Sequence, residues 1–409
     1  MTITKLKTDR RSLLLGAAGL GVSLPFYSQA RGQTALPAVD ALLKQIVEAQ
    51  RLPGLVVGLQ QRGQPALFVQ AGQTDFGSPH RVDQDSLVRL YSMTKLITGT
   101  ATALLIEDGK LALDQPIATL VPELAQPTVF VRKDRHLITE GAKNPITIRH
   151  LLSHTSGFAG DQSRDSPVYN LYRQAGLNPG SDQPPIDLED LVTRLGQLPL
   201  NRQPGTGYDY GPSLDVLGLV LQRASNQPLP DLIQQRILTP LGMADTGWRL
   251  RPQDQDRLMA LYTYRQDQPP QDPPSSATPT ALMQPTRLYL GGSGLLSSAS
   301  DYMKFLAMLL NHGAGLMKPQ TAQLIRSDIL PADLSALGSG HGFGGWVARP
   351  DHRRAGEFGW SGTASTQAWI DPAKGFAAVL MMQALPYRSV DVLTPLRAAI
   401  DQDLGINRV

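Results

Sequence analysis

The stretch Ser92-Met93-Thr94-Lys95 places a serine and a lysine three residues apart, and the apolar pattern continuing through Leu104-Leu105-Ile106 predicts a helix. Residues at positions i and i+3 share one face of a helix, so the two side chains are expected to meet. A hydroxyl beside an amine forms a nucleophile with its own base if burial or a neighbouring charge favours the neutral amine. Ordinary exposed helix pairs show the same spacing, but no other serine of this chain has lysine three residues later.

The predicted helix is apolar on nearly every side, which indicates that it is buried. Gly109 stands where a C-terminal capping glycine is expected. Ser92 therefore lies in the first turn of a core helix. Free backbone N–H groups and the positive end of the helix dipole favour a developing anion there.

Apolar runs at both ends of the chain predict one sheet. Leu55–Leu59 and Ala66–Val69 read as a hairpin, and four further strands are predicted at Gly345–Ala348, Glu357–Trp360, Thr366–Ile370 and Phe376–Met382. The predicted fold class is α/β in the α+β sense: a mostly antiparallel sheet from N- and C-terminal segments, flanked by helices, with a large helical insertion. The cleft between sheet and insertion is the default binding site.

The helical insertion is predicted over about 113–285. Its clearest helices are Ile148–Leu152, Leu188–Leu195, Ser213–Ala224 and Leu229–Ile237. The Pro-rich segment Pro269–Pro285 is predicted to be an extended surface loop, a lid or a spacer. The α/β part would cover about 36–112 and 286–409, with helices at Ser300–Leu310 and Ser389–Leu404, so that 31–409 forms a single catalytic domain.

The N-terminus has the composition of an export signal. Paired Arg10-Arg11 precede Leu13-Leu14-Leu15 and a modest apolar stretch that ends near Ala30, which predicts a twin-arginine signal over 1–30 and a periplasmic or extracellular location. The formal charge of +3 comes entirely from this segment, since 34 basic and 34 acidic residues follow it. This neutral balance argues against nucleic-acid binding. No stable membrane span is expected after cleavage, and the sequence does not predict an oligomeric state.

Two loops carry further candidate residues. Tyr208-Asp209-Tyr210 follows Pro204–Gly207 and precedes a helix, which is a suitable place for a proton-transferring phenol or for a tyrosine that packs the loop. Trp360-Ser361-Gly362-Thr363 lies at a predicted strand end, where glycine lets a ligand approach the backbone. The alternative there is an edge strand with a buried tryptophan.

Three other signals are weaker. His150 and His154 have the spacing of a zinc pair but no accompanying glutamate, and without cysteine no thiolate metal site exists. Ser361 lacks the glycine pattern of a nucleophile elbow, and Gly291–Gly294 lacks the lysine of a phosphate loop, so a turn explains it better. No metal or cofactor is therefore predicted.

The ordered motifs resemble the serine β-lactamase-like superfamily, and most closely the class C β-lactamase-related esterases called family VIII carboxylesterases. The resemblance spans nearly the whole chain after residue 30. It is carried by these segments: Ser92–Lys95, His150–Gly157, Pro204–Tyr210, Pro240–Thr246, Gly291–Tyr302, Trp360–Thr363 and Trp369–Pro372.

The resemblance implies that Ser92 is the acylated nucleophile, Lys95 its base, and Tyr208 the proton relay. It also implies an oxyanion hole made by the backbone N–H groups of Ser92 and Thr363. The chain departs from β-lactamases where Tyr210 replaces an asparagine and where Trp360, Ser361 and Gly362 replace Lys-Thr-Gly. An indole offers an apolar face in place of a cation, which favours uncharged esters.

The function expected is thus an exported serine hydrolase that cleaves small-molecule carboxylic esters. A β-lactamase or D-Ala-D-Ala carboxypeptidase acting on a β-lactam or peptide is the alternative among enzymes. A module that is acylated once and never turns over is the alternative from another class.

Overall fold

The computed structural model describes residues 36–49, 51–133, 136–177, 186–266 and 268–407. The predicted export signal lies outside these ranges. The helices are α1 (Pro37–Glu48), α2 (Thr94–Glu107), α3 (Ile148–Leu152), α4 (Pro167–Gln174), α5 (Leu188–Gly196), α6 (Ser213–Ser225), α7 (Leu229–Ile233), α8 (Thr239–Leu241), α9 (Pro279–Met283), α10 (Ala299–Leu310), α11 (Pro319–Ile325) and α12 (Leu393–Asp403). Within the described ranges, no helix combines the length and hydropathy of a membrane span.

The strands are β1 (Gly54–Gln61), β2 (Leu67–Gly72), β3 (Leu87–Arg89), β4 (Thr128–Lys133), β5 (His136–Gly141), β6 (Tyr262–Thr263), β7 (Leu296–Ser298), β8 (Gly340–His341), β9 (Trp346–Val347), β10 (Phe358–Ser361), β11 (Gln367–Asp371), β12 (Phe376–Met381) and β13 (Ala384–Leu385). Seven of them form one sheet in the order β2-β1-β12-β11-β10-β9-β8. All six neighbouring pairs are antiparallel. The prediction of one antiparallel sheet from both ends of the chain is confirmed.

Both faces of the central strands are covered. Leu55, Val57 and Leu59 of β1 belong to the core cluster that includes residues of α1 and α12, whereas Val56 belongs to the cluster that includes α2 and α10. Side chains alternate between the faces of a strand, so a strand covered on both sides is apolar at every position. This explains why β1 and β12 appear in the sequence as continuous apolar runs.

Helix α2 is buried from Thr94 through Leu105, as its all-round apolar pattern predicts. It runs through the middle of the molecule and contacts α6, α11 and β10. The residues at its N-terminus consequently lie where the sheet meets the helical part.

The insertion differs from its prediction in two places. The pair β4 and β5 forms a hairpin in a region that was predicted to be mostly helical, and its β-branched residues Val129, Val131 and Ile138 favour strands. The Pro-rich segment is not simply extended, since α9 begins after the N-capping Thr278, and Leu282 packs against a small cluster that contains Leu87.

Candidate active site

The candidate nucleophile lies in a single 3₁₀ turn, Tyr91–Met93, that leads directly into α2. Tyr91 has φ 47°, in the left-handed region. Such a conformation costs a non-glycine residue about 1–3 kcal/mol and is typical of functional sites. The turn is held from the far side by the Tyr302 hydroxyl, which donates to Met93 O at 2.8 Å. The sharp entry into the helix presents the Ser92 side chain to the cleft.

The side chains of Ser92 and Lys95 meet, as their spacing predicts. Lys95 Nζ donates to Ser92 Oγ at 3.1 Å and to the carbonyl oxygen of Gly292 at 2.7 Å. The lysine side chain is buried among α2, α6 and the segment before β7, with 5% of the residue exposed. It therefore reaches the serine from inside the protein.

The phenol at the serine belongs to Tyr210, and the assignment of this position to Tyr208 was wrong. Tyr210 Oη donates to Ser92 Oγ at 2.6 Å, and Lys95 Nζ lies 4.7 Å from the centre of the Tyr210 ring. The Tyr208 hydroxyl is buried and has no hydrogen-bond partner among the described residues. Tyr208 thus packs the loop, the alternative that its sequence context left open.

Long-range contacts place Tyr210. Its backbone N–H donates to Gln162 Oε1 at 2.6 Å, and its carbonyl oxygen accepts from the Asp161 N–H at 2.9 Å. A Cβ at Gly160 would collide with the Tyr210 carbonyl, so the two chains touch only because that residue is glycine. The segment around residue 161 therefore orients the tyrosine.

Behind Tyr210 stands a histidine–tyrosine wall made of His154, Tyr208 and His341. Its ring centres are 5.5–5.9 Å apart, and the His154 ring centre lies 4.6 Å from that of Tyr210. Burial lowers the pKa of His341 to about 4 and lowers that of His154 well below its usual value. The wall is consequently neutral at neutral pH.

The end of β10 forms the opposite edge of the cleft. A Cβ at Gly362 would collide with the carbonyl of Leu90, so this strand end lies directly against the turn that carries Ser92. The Trp360 ring centre is 5.6 Å from that of Tyr210. Residues Trp360 through Thr363 line one cavity of about 1100 Å³ together with Ser92 and Tyr210. Seven of the eight sequence-predicted site residues line this cavity, and the eighth, Lys95, contacts Ser92 from inside the protein.

Asp215, a residue that the sequence analysis did not select, lies beneath Lys95. It is buried on α6, and its Oδ1 accepts the N–H of Gly292 at 2.7 Å. Gly292 is thus held between a carboxylate and the lysine amine. A polar residue on the apolar face of a helix was the available signal.

The weaker sequence signals find little support in the geometry. His150 Nδ1 accepts from the Thr147 N–H in a helix cap, and no group of three or more potential metal ligands occurs among the described residues. Among the described residues, no histidine forms a hydrogen bond with Ser361.

The beta-lactamase family model matches residues 39–402. Protein Rv1367c of Mycobacterium tuberculosis is 32% identical over 86% of this chain and 91% of its own length. Esterase EstB of Burkholderia gladioli is 28% identical over 84% of this chain and 89% of its own. The solved structure of EstCE1, described as a hydrolase with promiscuous acyltransferase activity, is 26% identical, covers 91% of this chain and 98% of that one, and has a TM-score of 0.76.

The chain therefore belongs to the beta-lactamase family and has its fold, which confirms the resemblance found in the sequence. It is a serine hydrolase of that family, and its relatives include esterases.

Proposed function

We propose that this serine hydrolase cleaves carboxylic esters through an acyl intermediate on Ser92, with Lys95 and Tyr210 transferring the protons. The observation that carries the proposal is the convergence of Lys95 Nζ and Tyr210 Oη on Ser92 Oγ in the wall of a cleft. A hydroxyl attacks an ester only as its proton leaves, and both groups lie within one hydrogen bond of that proton.

In the acylation step Ser92 Oγ attacks the ester carbonyl carbon, and its proton passes to the Lys95–Tyr210 pair. The carbonyl oxygen becomes an oxyanion, for which we propose the backbone N–H groups of Ser92 and Thr363 as donors; each such donor typically contributes about 3 kcal/mol. The tetrahedral intermediate collapses, the alkoxide leaves, and the pair returns the proton to it.

In the deacylation step water takes the position of the departed alcohol. The pair removes a proton from the water, the water oxygen attacks the acyl carbon, and Ser92 Oγ leaves and recovers its proton. The products are the carboxylic acid and the regenerated enzyme. An alcohol in place of water would give acyl transfer, the activity named for EstCE1.

The preferred substrate is proposed to be an uncharged ester. Trp360 stands at the edge of the cleft where the β-lactamases that the sequence resembles carry a lysine. Its indole packs beside Tyr210 and His341, and it offers an apolar face to the acyl or alcohol group. The name of Esterase EstB supports esters as the substrate class.

Replacement of Ser92 by alanine tests the proposal. The variant is expected to lose turnover of a short-chain aryl ester by at least about a thousandfold, because the nucleophile is gone. Ser327→Ala, two residues beyond the end of α11 and outside the cavity lining, serves as the control and should retain full activity. Mass spectrometry after a fluorophosphonate should show one adduct in the wild type and none in Ser92→Ala.

The same preparation separates the alternatives. Turnover of a cephalosporin faster than that of the ester would favour a β-lactamase. A lasting adduct after mixing with the ester would favour a module that is acylated once. Retained ester turnover in Ser92→Ala would contradict the proposal.

We also propose export by the twin-arginine route, on the basis of Arg10-Arg11 and the apolar stretch that follows. Replacing both arginines by lysine should keep the protein in the cytoplasm, as fractionation would measure. Continued export of that variant would contradict the assignment.

A further inference from the structure

A short glycine segment is clamped between two buried helices directly under the nucleophile. Thr98 of α2 donates from Oγ1 to the Gly291 carbonyl at 2.6 Å. On the other side a Cβ at Gly291 would collide with the Leu214 carbonyl of α6. The sequence predicted only a turn at these glycines. In the structure they bring a main-chain segment between the helix of Lys95 and the helix of Asp215.

Gly292 connects the two charged residues. Its N–H donates to Asp215 Oδ1 at 2.7 Å, and its carbonyl oxygen accepts from Lys95 Nζ at 2.7 Å. A Cβ on Gly292 would lie 2.8 Å from Asp215 Oδ1 and 3.3 Å from Lys95 Nζ. The carboxylate and the amine are therefore close, yet among the described residues they form no direct salt bridge within 4.0 Å.

We propose that Asp215 is a positioning residue for Lys95: it fixes the Gly292 carbonyl that receives the amine, and it supplies the negative charge that faces this amine inside the protein. The inference deepens the proposed function and rests on it. Asp215 does not line the cleft, so it acts through Lys95 and not on the substrate.

The surroundings of Lys95 make this charge important. The other titratable groups that face it are the phenol of Tyr210 and the imidazoles of His154 and His341. A buried ammonium without a nearby anion is costly. Asp215 is the carboxylate that approaches Lys95 from α6.

The attraction between the two residues also acts on the carboxyl. Burial raises the pKa of Asp215, while the charge of Lys95 and the Gly292 N–H act to lower it. Because Coulomb attraction is mutual, the negative charge of Asp215 also acts on the proton transfers at Lys95 and Tyr210.

The variant Asp215→Asn separates charge from shape, since its amide oxygen can still accept the Gly292 N–H. For hydrolysis of an aryl ester, kcat is expected to fall about tenfold or more while KM stays within about threefold, because the substrate surface is untouched. One limb of the kcat–pH profile is expected to move to lower pH, since the variant removes a negative charge beside the groups that transfer protons.

Asp301→Asn is the matched control. Asp301 is also buried, accepts a backbone N–H at 2.7 Å and lies 2.7 Å from a lysine, Lys304. It lies on α10, outside the cleft lining, so its variant should leave the pH profile of kcat unchanged. If Asp215→Asn behaves like Asp301→Asn, with the wild-type kcat and pH profile, the inference is overturned.

Two further variants keep the test decisive. If Asp215→Asn does not fold, Asp215→Glu retains the charge and displaces the oxygen: a lower kcat with an unmoved limb supports the positioning role, and wild-type kcat refutes it. Ser92→Ala, assayed alongside, reports the proposed function separately. Activity in Ser92→Ala refutes that function, whereas an inactive Ser92→Ala beside a fully active Asp215→Asn refutes only the role of Asp215.

Discussion

Two adjacent regions of the cleft differ in whether their buried polar atoms form hydrogen bonds. At the front, Ser92 Oγ accepts hydrogen bonds from Lys95 and Tyr210. Behind it, in the histidine–tyrosine wall, four polar atoms are buried without a hydrogen-bond partner in the part of the chain that the structure describes: both ring nitrogens of His154, Nε2 of His341 and the Tyr208 hydroxyl. A buried polar group without a hydrogen bond costs about 1–3 kcal/mol, and a charge there costs more. The proton transfer that we propose is therefore assigned to the front, whereas the wall packs as neutral rings.

Variants of the two tyrosines test the difference between the front and the wall most strongly. Tyr210→Phe should lower kcat for an aryl ester by about a hundredfold to ten-thousandfold, the usual contribution of a positioned proton-transfer group. Tyr208→Phe should leave kcat within about threefold, because no described residue hydrogen-bonds to its hydroxyl. The stability of this variant should be unchanged or raised by about 1 kcal/mol. Steady-state kinetics and denaturant unfolding measure both. Equal losses of kcat in the two variants would contradict the division into front and wall.

The histidines of the wall should lower the stability of the protein at acidic pH. His341 has a pKa of about 4 in the folded protein, because it is fully buried, whereas an unfolded histidine titrates near 6.5. Between these values the unfolded chain binds the proton and the folded chain does not. The contribution of His341 to the free energy of unfolding therefore falls as pH falls from about 6.5 to 4, and it changes no further below that. The loss from this residue is about 3 kcal/mol.

Denaturant unfolding at several pH values measures this loss. Asparagine cannot ionise, so His341→Asn should lose about 3 kcal/mol less stability than the wild type over this pH range. His154 contributes in the same direction in both proteins. An unchanged slope in the variant would show that His341 is not the responsible group.

Trp360 contacts both regions, and its replacement should have the smallest effect. Its ring centre lies 5.6 Å from that of Tyr210 and 5.3 Å from that of His341. Trp360→Lys should shift kcat/KM by about tenfold from a neutral ester toward an ester that carries a free carboxylate, the effect of one exposed charge pair. Trp360→Phe, which stays apolar, should keep the wild-type preference. A neutral preference retained by the lysine variant would remove Trp360 as a determinant of selectivity.

Much of this architecture follows from local patterns. The helix bounds at Ile148–Leu152 match the prediction without change, and the late strands lie within one or two residues of their predicted positions. These segments have strong periodicity and clear turn residues, so local propensity and burial agree. The hairpin of β4 and β5 was missed because its short strands lie among helices, where periodicity is a weak guide.

Residues that act across the cleft were harder to predict. Tyr208 and Tyr210 stand in the same loop motif, and nothing local separates them. Asp215 appears in the sequence only as a polar interruption of an apolar helix. Gly292 appears only as part of a turn, since a carbonyl oxygen carries no side-chain signature.

The sequence by itself determined the strands at both chain ends, the buried helix and the meeting of Ser92 with Lys95, because each of these depends on the pattern within one element. Only the tertiary structure decided that Tyr210 is the phenol at the serine and that Gly292 lies between Asp215 and Lys95. Those positions depend on contacts between segments 48 to 197 residues apart, such as Tyr210 with Gln162 and Lys95 with Gly292. Contacts over such separations are specified by the packing of the whole core, which no local pattern encodes.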